Sequence, residues 1–173
     1  MARISYPDPN QPEIAPLVAR IKAERGKIFN LYGMLLHSPP VAEGWLALLT
    51  AIRQKCTLSG RMRELVITRI AVINGAEYEF SAHAPLAMKE GVSQAQIDAL
   101  REGKFDAFDA RERAVLAYCD SMTRDVHVPD AVFEAVRPHF NEREIVELTA
   151  TVASYNLVSR FLEAIQIDPE PGR

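Results

Sequence analysis

Glu79 and His83 stand four residues apart in the stretch "EYEFSAH", Glu77 to His83. On a helix that spacing puts both side chains on one face, within reach of each other. A carboxylate beside an imidazole raises the histidine's pKa and fixes its tautomer. Such a pair suits general acid/base catalysis, which wants a group titrating near neutral pH. The same spacing also describes an ordinary surface salt link, worth less than about 1 kcal/mol. The residues alone leave both readings open. Glu77 falls roughly 160° from Glu79 by the helical period. Tyr78 and Phe80 either wall a pocket or join the core.

Pro85 follows two residues after the histidine. It has no amide hydrogen, so the Ser81 carbonyl loses its intrahelical partner if the helix runs on. It also disfavours helical geometry at Ala84, so a kink or a new helix is expected just past His83. The other histidines have plainer roles. His37 precedes Ser-Pro-Pro at a helix end, where a C-terminal dipole favours it, and His127 and His139 fall in turns. Glu64, Glu77, Glu79 and His83 are oxygen and nitrogen donors in one neighbourhood. Di-iron bundles, however, use Glu-x-x-His from each of two helices, whereas this chain has Glu-x-x-x-His once. No metal site is expected.

The elements that must position these residues are helical. Strand-like alternation is hard to find. Residues 1–11 read as an extended arm, with Pro7, Pro9 and Pro12 blocking regular pairing. "EIAPLVARIKAERG", "IFNLYGMLLHSP" and "VAEGWLALLTAIRQ" follow as helices, the last opened by Pro39 and Pro40. Ser59 is the expected N-cap of "GRMRELVITRIAVING", a helix apolar on most sides. Gly91 is placed to end the His83 helix in a left-handed conformation. Three capping boxes come next: Ser93 with Gln96, Asp109 with Glu112 and Asn141 with Glu144. They start two further helices and the long closing one, with "DAVFEAVRPHF" as a shorter helix between. The closing helix carries more apolar surface than one outer helix needs, so part of it is expected to face another subunit. Its polar set Tyr155, Asn156 and Arg160 is either an interhelix hydrogen-bond group or a pocket wall. The tail "DPEPGR" is expected to fray. The expected fold is an all-α bundle of about seven helices. Its organisation is an N-terminal arm with helices over 1–39 and a helical domain over 40–168, forming one compact unit.

Composition narrows the class. Of 173 residues, 48% are hydrophobic and the formal net charge is −3, with both signs mixed along the chain. There is no basic stripe, so no nucleic-acid partner is expected. No apolar run approaches the ~18 residues that span a bilayer, so no membrane partner is expected either. The polar, proline-bearing start "MARISYPDPNQPE" has no apolar core of a secretory signal. Cys56 and Cys119 form no motif, which fits a reducing, cytoplasmic setting.

The stretch "RMRELVITRIAVINGAEYEFSAHAPLAMKEGVS", Arg61 to Ser93, resembles the carboxymuconolactone decarboxylase family, which includes the alkylhydroperoxidase D-type proteins. The later "EREIVELTATVASYNLVSRFLEAIQID" looks like the family's closing helix. The resemblance implies an all-α domain assembling as homo-oligomers, trimers or hexamers, with the site near subunit contacts. The peroxidase branch carries a Glu, then Cys-x-x-Cys, then a His. Here the Glu corresponds to Glu64 and the His to His83, while the cysteine positions fall on Ala76 and Glu79. A peroxidatic thiolate attacks the peroxide and a resolving thiol closes the disulfide; alanine and glutamate do neither. Thiol peroxidase activity is therefore not expected.

The decarboxylase branch lacks the cysteine pair. It implies a small-molecule substrate, a lactone bearing a carboxylate, and needs no metal or organic cofactor. Loss of carbon dioxide leaves an electron-rich dienolate to be protonated at carbon. By this resemblance His83 is the proton donor, positioned by Glu79, with Glu64 supporting it from the preceding helix. Arg69 or Arg160 is expected to hold the substrate carboxylate, and Tyr78, Tyr155 and Asn156 to line its pocket. The alternative is an oligomeric, non-catalytic family member that binds a ligand, with Glu79 and His83 exposed.

Overall fold

The computed structural model describes residues 1–170. Among them the chain forms nine α-helices, two short 3-10 turns and no strand. The helices are α1 Ala15–Arg25, α2 Asn30–Leu35, α3 Pro39–Gln54, α4 Gly60–Asn74, α5 Glu77–Lys89, α6 Gln94–Glu102, α7 Ala110–Arg124, α8 Asp130–Val136 and α9 Glu142–Ile165. The count exceeds the stated total of about seven; the nine helical segments read from the sequence each form, the short α2 and α8 included. No described helix is long and apolar enough to cross a membrane.

The backbone gathers into two compact units, one of Met1–Lys55 with the segment from Leu162, the other of Cys56–Phe161. The division falls after α3. The reason lies in the face α3 buries: Ala42, Trp45, Leu46, Leu49 and Ile52 are buried along it, and α3 packs on α1 and α2. In this first unit the arm residue Arg3 donates its amide to the Ile165 carbonyl at 2.9 Å. The tail is pinned rather than frayed as far as it is described. Asp168 accepts from the Ala2 amide, and Glu170 accepts from the Asn30 amide at 2.6 Å and from Lys27. The Ala2 and Asn30 contacts satisfy backbone donors that would otherwise need water. Pro171, Gly172 and Arg173 lie outside the described residues.

In the second unit the local signals read from the sequence form as expected. The Ser59 hydroxyl accepts from the Met62 amide, and both partners of each capping box, Ser93/Gln96, Asp109/Glu112 and Asn141/Glu144, make reciprocal bonds. Gly91, at φ +89°, ends α5; its amide reaches Met88 and the Val92 amide reaches Ala87, the paired bonds of a Schellman motif. Pro85 sits inside α5 without ending it.

One turn decides where the chemistry goes. Gly75 adopts φ +65°, a left-handed conformation open to glycine at no steric cost. The Ala76 amide bonds back to the Ala71 carbonyl, and α5 starts one residue later. So short a link lays α5 against α4, and α6 and α7 pack on α4 as well. The central helix α4 is accordingly buried on nearly every side: Leu65, Val66, Ile67 and Ile70 are all fully enclosed. Any ionisable residue on α4 must find its partner inside the unit.

Candidate active site

Glu64, on α4, is such a residue, and its partner is His83 on α5. The imidazole Nδ1 lies 2.6 Å from Glu64 Oε2. Nε2, the other ring nitrogen, lies 3.3 Å from Glu79 Oε2, one helical turn earlier on α5. That second approach has the distance of an ion pair without the angle of a formed hydrogen bond. The three side chains are almost completely enclosed, at 2% exposure for Glu64, 4% for Glu79 and 5% for His83. A surface salt link is thereby excluded, and so is the exposed pair that a non-catalytic binder called for.

The electrostatics follow from that enclosure. Burial opposes charge on the ring, but the Glu64 hydrogen bond and the Glu79 carboxylate outweigh it. The histidine's pKa is raised above its ordinary value. The imidazolium then sits between two carboxylates, each neutralising what the other leaves. The row continues one step further: Arg63 Nε lies 3.2 Å from Glu64 Oε1. The order is Arg63, Glu64, His83, Glu79, alternating in sign when His83 is protonated. Arg63 was not singled out in the sequence, because it precedes Glu64 directly and shares no helical spacing with His83. A wall for this row comes from α9. The Tyr155 ring meets the His83 ring edge-on, with centroids 5.2 Å apart and planes at 83°.

The remaining expected site residues go elsewhere. Arg69 is tied down: Nε and Nη2 donate to Asp120 at 2.7 and 2.5 Å, and Nη1 donates to the Leu100 carbonyl at 2.7 Å. Its planar face lies over Phe105. With three nitrogens spent on α6 and α7 it has no fork left for a substrate. Arg160 and Asn156 form the interhelix set. Asn156 Oδ1 accepts from Asn74 and Arg160, and its amide nitrogen donates to the Thr123 hydroxyl and the Val152 carbonyl. Every polar atom of the Asn156 side chain is used in fixing α9 to α4 and α7. Tyr78 is half-buried on α5, its carbonyl accepting from the Ser81 hydroxyl. Glu77 is exposed and paired with Arg101, whose guanidinium stacks on Phe80. These residues border a solvent-open cleft with Ala71, Val72 and Gly75; neither Glu79 nor His83 lines it.

The sulfur atoms stand apart from the row. Ala76 and Glu79 occupy the two positions where the resemblance places cysteines in the peroxidase branch. Cys119 is fully buried on α7, with Sγ 3.9 Å from the Val66 carbonyl. Burial first, then Asp120, push its thiol up to about 12. Burial and Glu147 likewise raise the Cys56 thiol above its ordinary value. A thiol held in its protonated form is a poor nucleophile.

Comparison with known proteins agrees with this architecture. The fold is that of the alkylhydroperoxidase D-like helical proteins. The chain superimposes on a peroxidase-related protein from Silicibacter sp. TM1040, with a TM-score of 0.84, 21% identity, and 98% of this chain and 92% of that one covered. An alkylhydroperoxidase AhpD core protein from Ralstonia eutropha JMP134 matches with a TM-score of 0.83 and 21% identity, covering 98% and 93%. The debrominase Bmp8, bound to 2,3,4-tribromopyrrole, matches with a TM-score of 0.80 and 18% identity, covering 99% and 95%. At those identities the likeness is one of fold. In sequence, residues 39–121, just under half of the chain, match the model of the carboxymuconolactone decarboxylase family. The uncharacterized protein YdfG of Bacillus subtilis (strain 168) is 26% identical over 111 residues, which are 62% of this chain and 76% of that protein.

Proposed function

We propose that this chain is a cofactor-free acid/base enzyme that decarboxylates a small carboxylated lactone or a related aromatic-degradation metabolite. The observation that carries the reading is the enclosed row Glu64–His83–Glu79, a proton store with a carboxylate at each end. The match of residues 39–121 to the carboxymuconolactone decarboxylase family model supports it, as does the absence of a thiol at positions 76 and 79.

The step balances without a redox partner. The bond between the ring carbon and the carboxylate breaks, and carbon dioxide leaves. The electron pair passes through the conjugated double bond to the lactone carbonyl oxygen, giving a dienolate. A proton then adds to carbon, and the ring carbonyl re-forms. The sequence reading made His83 the direct donor. With both ring nitrogens covered by carboxylates, Glu79 is the better final donor. His83 Nε2 supplies the proton to Glu79, and Glu64 holds the ring by Nδ1 in the orientation that allows it. Tyr155 keeps the ring plane in place by its edge contact. The arrangement is also dry, which strengthens each of these charge interactions.

The reading is tested by assaying the purified protein and its His83→Ala variant on a carboxylated muconolactone, with release of carbon dioxide as the readout. Release by the wild type, lowered by a hundredfold or more in the variant, is the expected result. A wild type that releases none on this or related carboxylated lactones removes the decarboxylase assignment. A homo-oligomer, trimer or hexamer, belongs to the same reading and is measured by light scattering.

A further inference from the structure

The arginines expected to hold a substrate carboxylate are both occupied, Arg69 by Asp120 and the Leu100 carbonyl, Arg160 by Asn156. Arg61 is spent on Glu112, Gly91 and Gln96, and Arg101 on Glu77. Arg63 differs. Its side chain is only 17% exposed, and one nitrogen, Nε, is given to Glu64. Among the described residues, Nη1 and Nη2 take no hydrogen bond and no ion pair. Neither nitrogen is among the buried atoms left without a partner, so the end of the fork faces solvent and is open to a ligand.

We infer that Arg63 is the anion-binding residue of this site and takes the carboxylate of the substrate end-on through Nη1 and Nη2. The inference rests on the acid/base reading given above and supplies its missing binding group. Two parallel N–H groups in a plane match the two oxygens of a carboxylate. The ligand class is therefore a small molecule that presents a planar carboxylate to the fork. Arg63 and His83 share Glu64, so a carboxylate on the Arg63 fork lies at the Glu64 end of the row, with His83 between it and Glu79. Arg63 thus determines specificity, and Glu64 serves as the brace between binding group and acid.

The experiment uses two probes of equal size, 5-oxotetrahydrofuran-2-carboxylate and its primary amide, titrated calorimetrically into the wild type, Arg63→Gln, Arg63→Lys and Glu79→Gln. The wild type is expected to bind the carboxylate at least ten times more tightly than the amide. Arg63→Gln, which can still hydrogen-bond Glu64, is expected to bind the two alike, and Arg63→Lys to recover part of the difference. A wild type without that preference, or an Arg63→Gln variant that keeps it, overturns the inference. A second measurement needs no variant: the carboxylate probe is expected to slow phenylglyoxal labelling of Arg63 at least fivefold, read by peptide mass, with the amide giving no protection. Equal labelling with and without the carboxylate also overturns it. Glu79→Gln is expected to keep the carboxylate preference while losing turnover. If the wild type prefers the carboxylate through Arg63 but decarboxylates nothing, the acid/base reading fails and the binding role of Arg63 stands.

Discussion

His83 Nδ1 lies 2.6 Å from Glu64 Oε2, a contact between residues nineteen apart that joins α5 to α4 inside the core. The bond does two things. It fixes the imidazole in one orientation, and it keeps a charge on the ring that burial alone would remove. The structure is therefore linked to the protonation of this one side chain.

That linkage has a sign. The folded-state pKa of His83 is raised, from an unfolded value near about 6.5. Its contribution to stability is fully present below the unfolded pKa and is lost as pH rises through the folded one. Thermal unfolding measured from about pH 5 to about pH 9 is expected to show Tm falling across the upper part of that range. A His83→Gln variant is expected to lose this part of the slope. A variant with the wild-type slope would place the titration elsewhere.

Arg69 is a structural tie between α4, α6 and α7, and not a substrate ligand. Breaking a buried pair strands the partner's charge and costs about 3 kcal/mol. Arg69→Ala is accordingly expected to lower the unfolding free energy by that amount, read as a lower denaturant midpoint. Where the variant is folded, KM for a carboxylated substrate is expected to stay within about twofold of the wild type, since Arg69 holds no part of the substrate. A selective rise in KM would return Arg69 to the site.

Glu147 closes the start of the second unit. It accepts from the Thr57 amide at 2.6 Å, the Thr57 hydroxyl at 2.7 Å and the Leu58 amide at 3.1 Å, and from Arg143 at 2.8 Å. Burial works against its charge, but these donors together hold the carboxyl below its ordinary range. A group so lowered contributes stability above the unfolded pKa that is lost as pH falls through the folded one. Glu147→Ala leaves two backbone amides without their acceptor and is expected to cost about 2 kcal/mol, read by chemical denaturation. Unchanged stability would mean water replaces the carboxylate without loss.

What the sequence made legible was local. Ser59, Gly91 and the three capping boxes act within a few residues of chain, and each does what its spacing implies. The Glu79–His83 pair is of the same kind, one turn of one helix. What stayed hidden depends on which helices pack together. Arg69 looked like a free cation because Asp120, its partner, is fifty-one residues away on α7. Asn156 stood as either an interhelix hydrogen-bond group or a pocket wall, and only the packing of two other helices brings Asn74 and Thr123 to it. Arg63 was hidden for the opposite reason. A charged residue in the first turn of a helix normally faces solvent, and nothing in its spacing marks the contact of its Nε with Glu64.

Thiol chemistry supplies an independent check. Cys119 is enclosed and its thiol is pushed up to about 12, and Cys56 is raised as well. The Cys56→Ser, Cys119→Ser double variant is expected to match the wild type in decarboxylase turnover. Neither protein is expected to reduce hydroperoxides with a dithiol donor above the uncatalysed rate. Cysteine-dependent peroxide reduction would reopen the redox reading.

The central claim is that Glu79, fed by His83, delivers a proton to carbon. Turnover of a carboxylated muconolactone in heavy water tests it most directly, comparing the wild type with Glu79→Gln. The account predicts that the wild type releases carbon dioxide and places one solvent deuterium on the ring carbon. It also predicts that Glu79→Gln, in which a neutral amide stands where the proton must pass, is slower by about a hundredfold or more. A Glu79→Gln variant that decarboxylates and deuterates at the wild-type rate would contradict it.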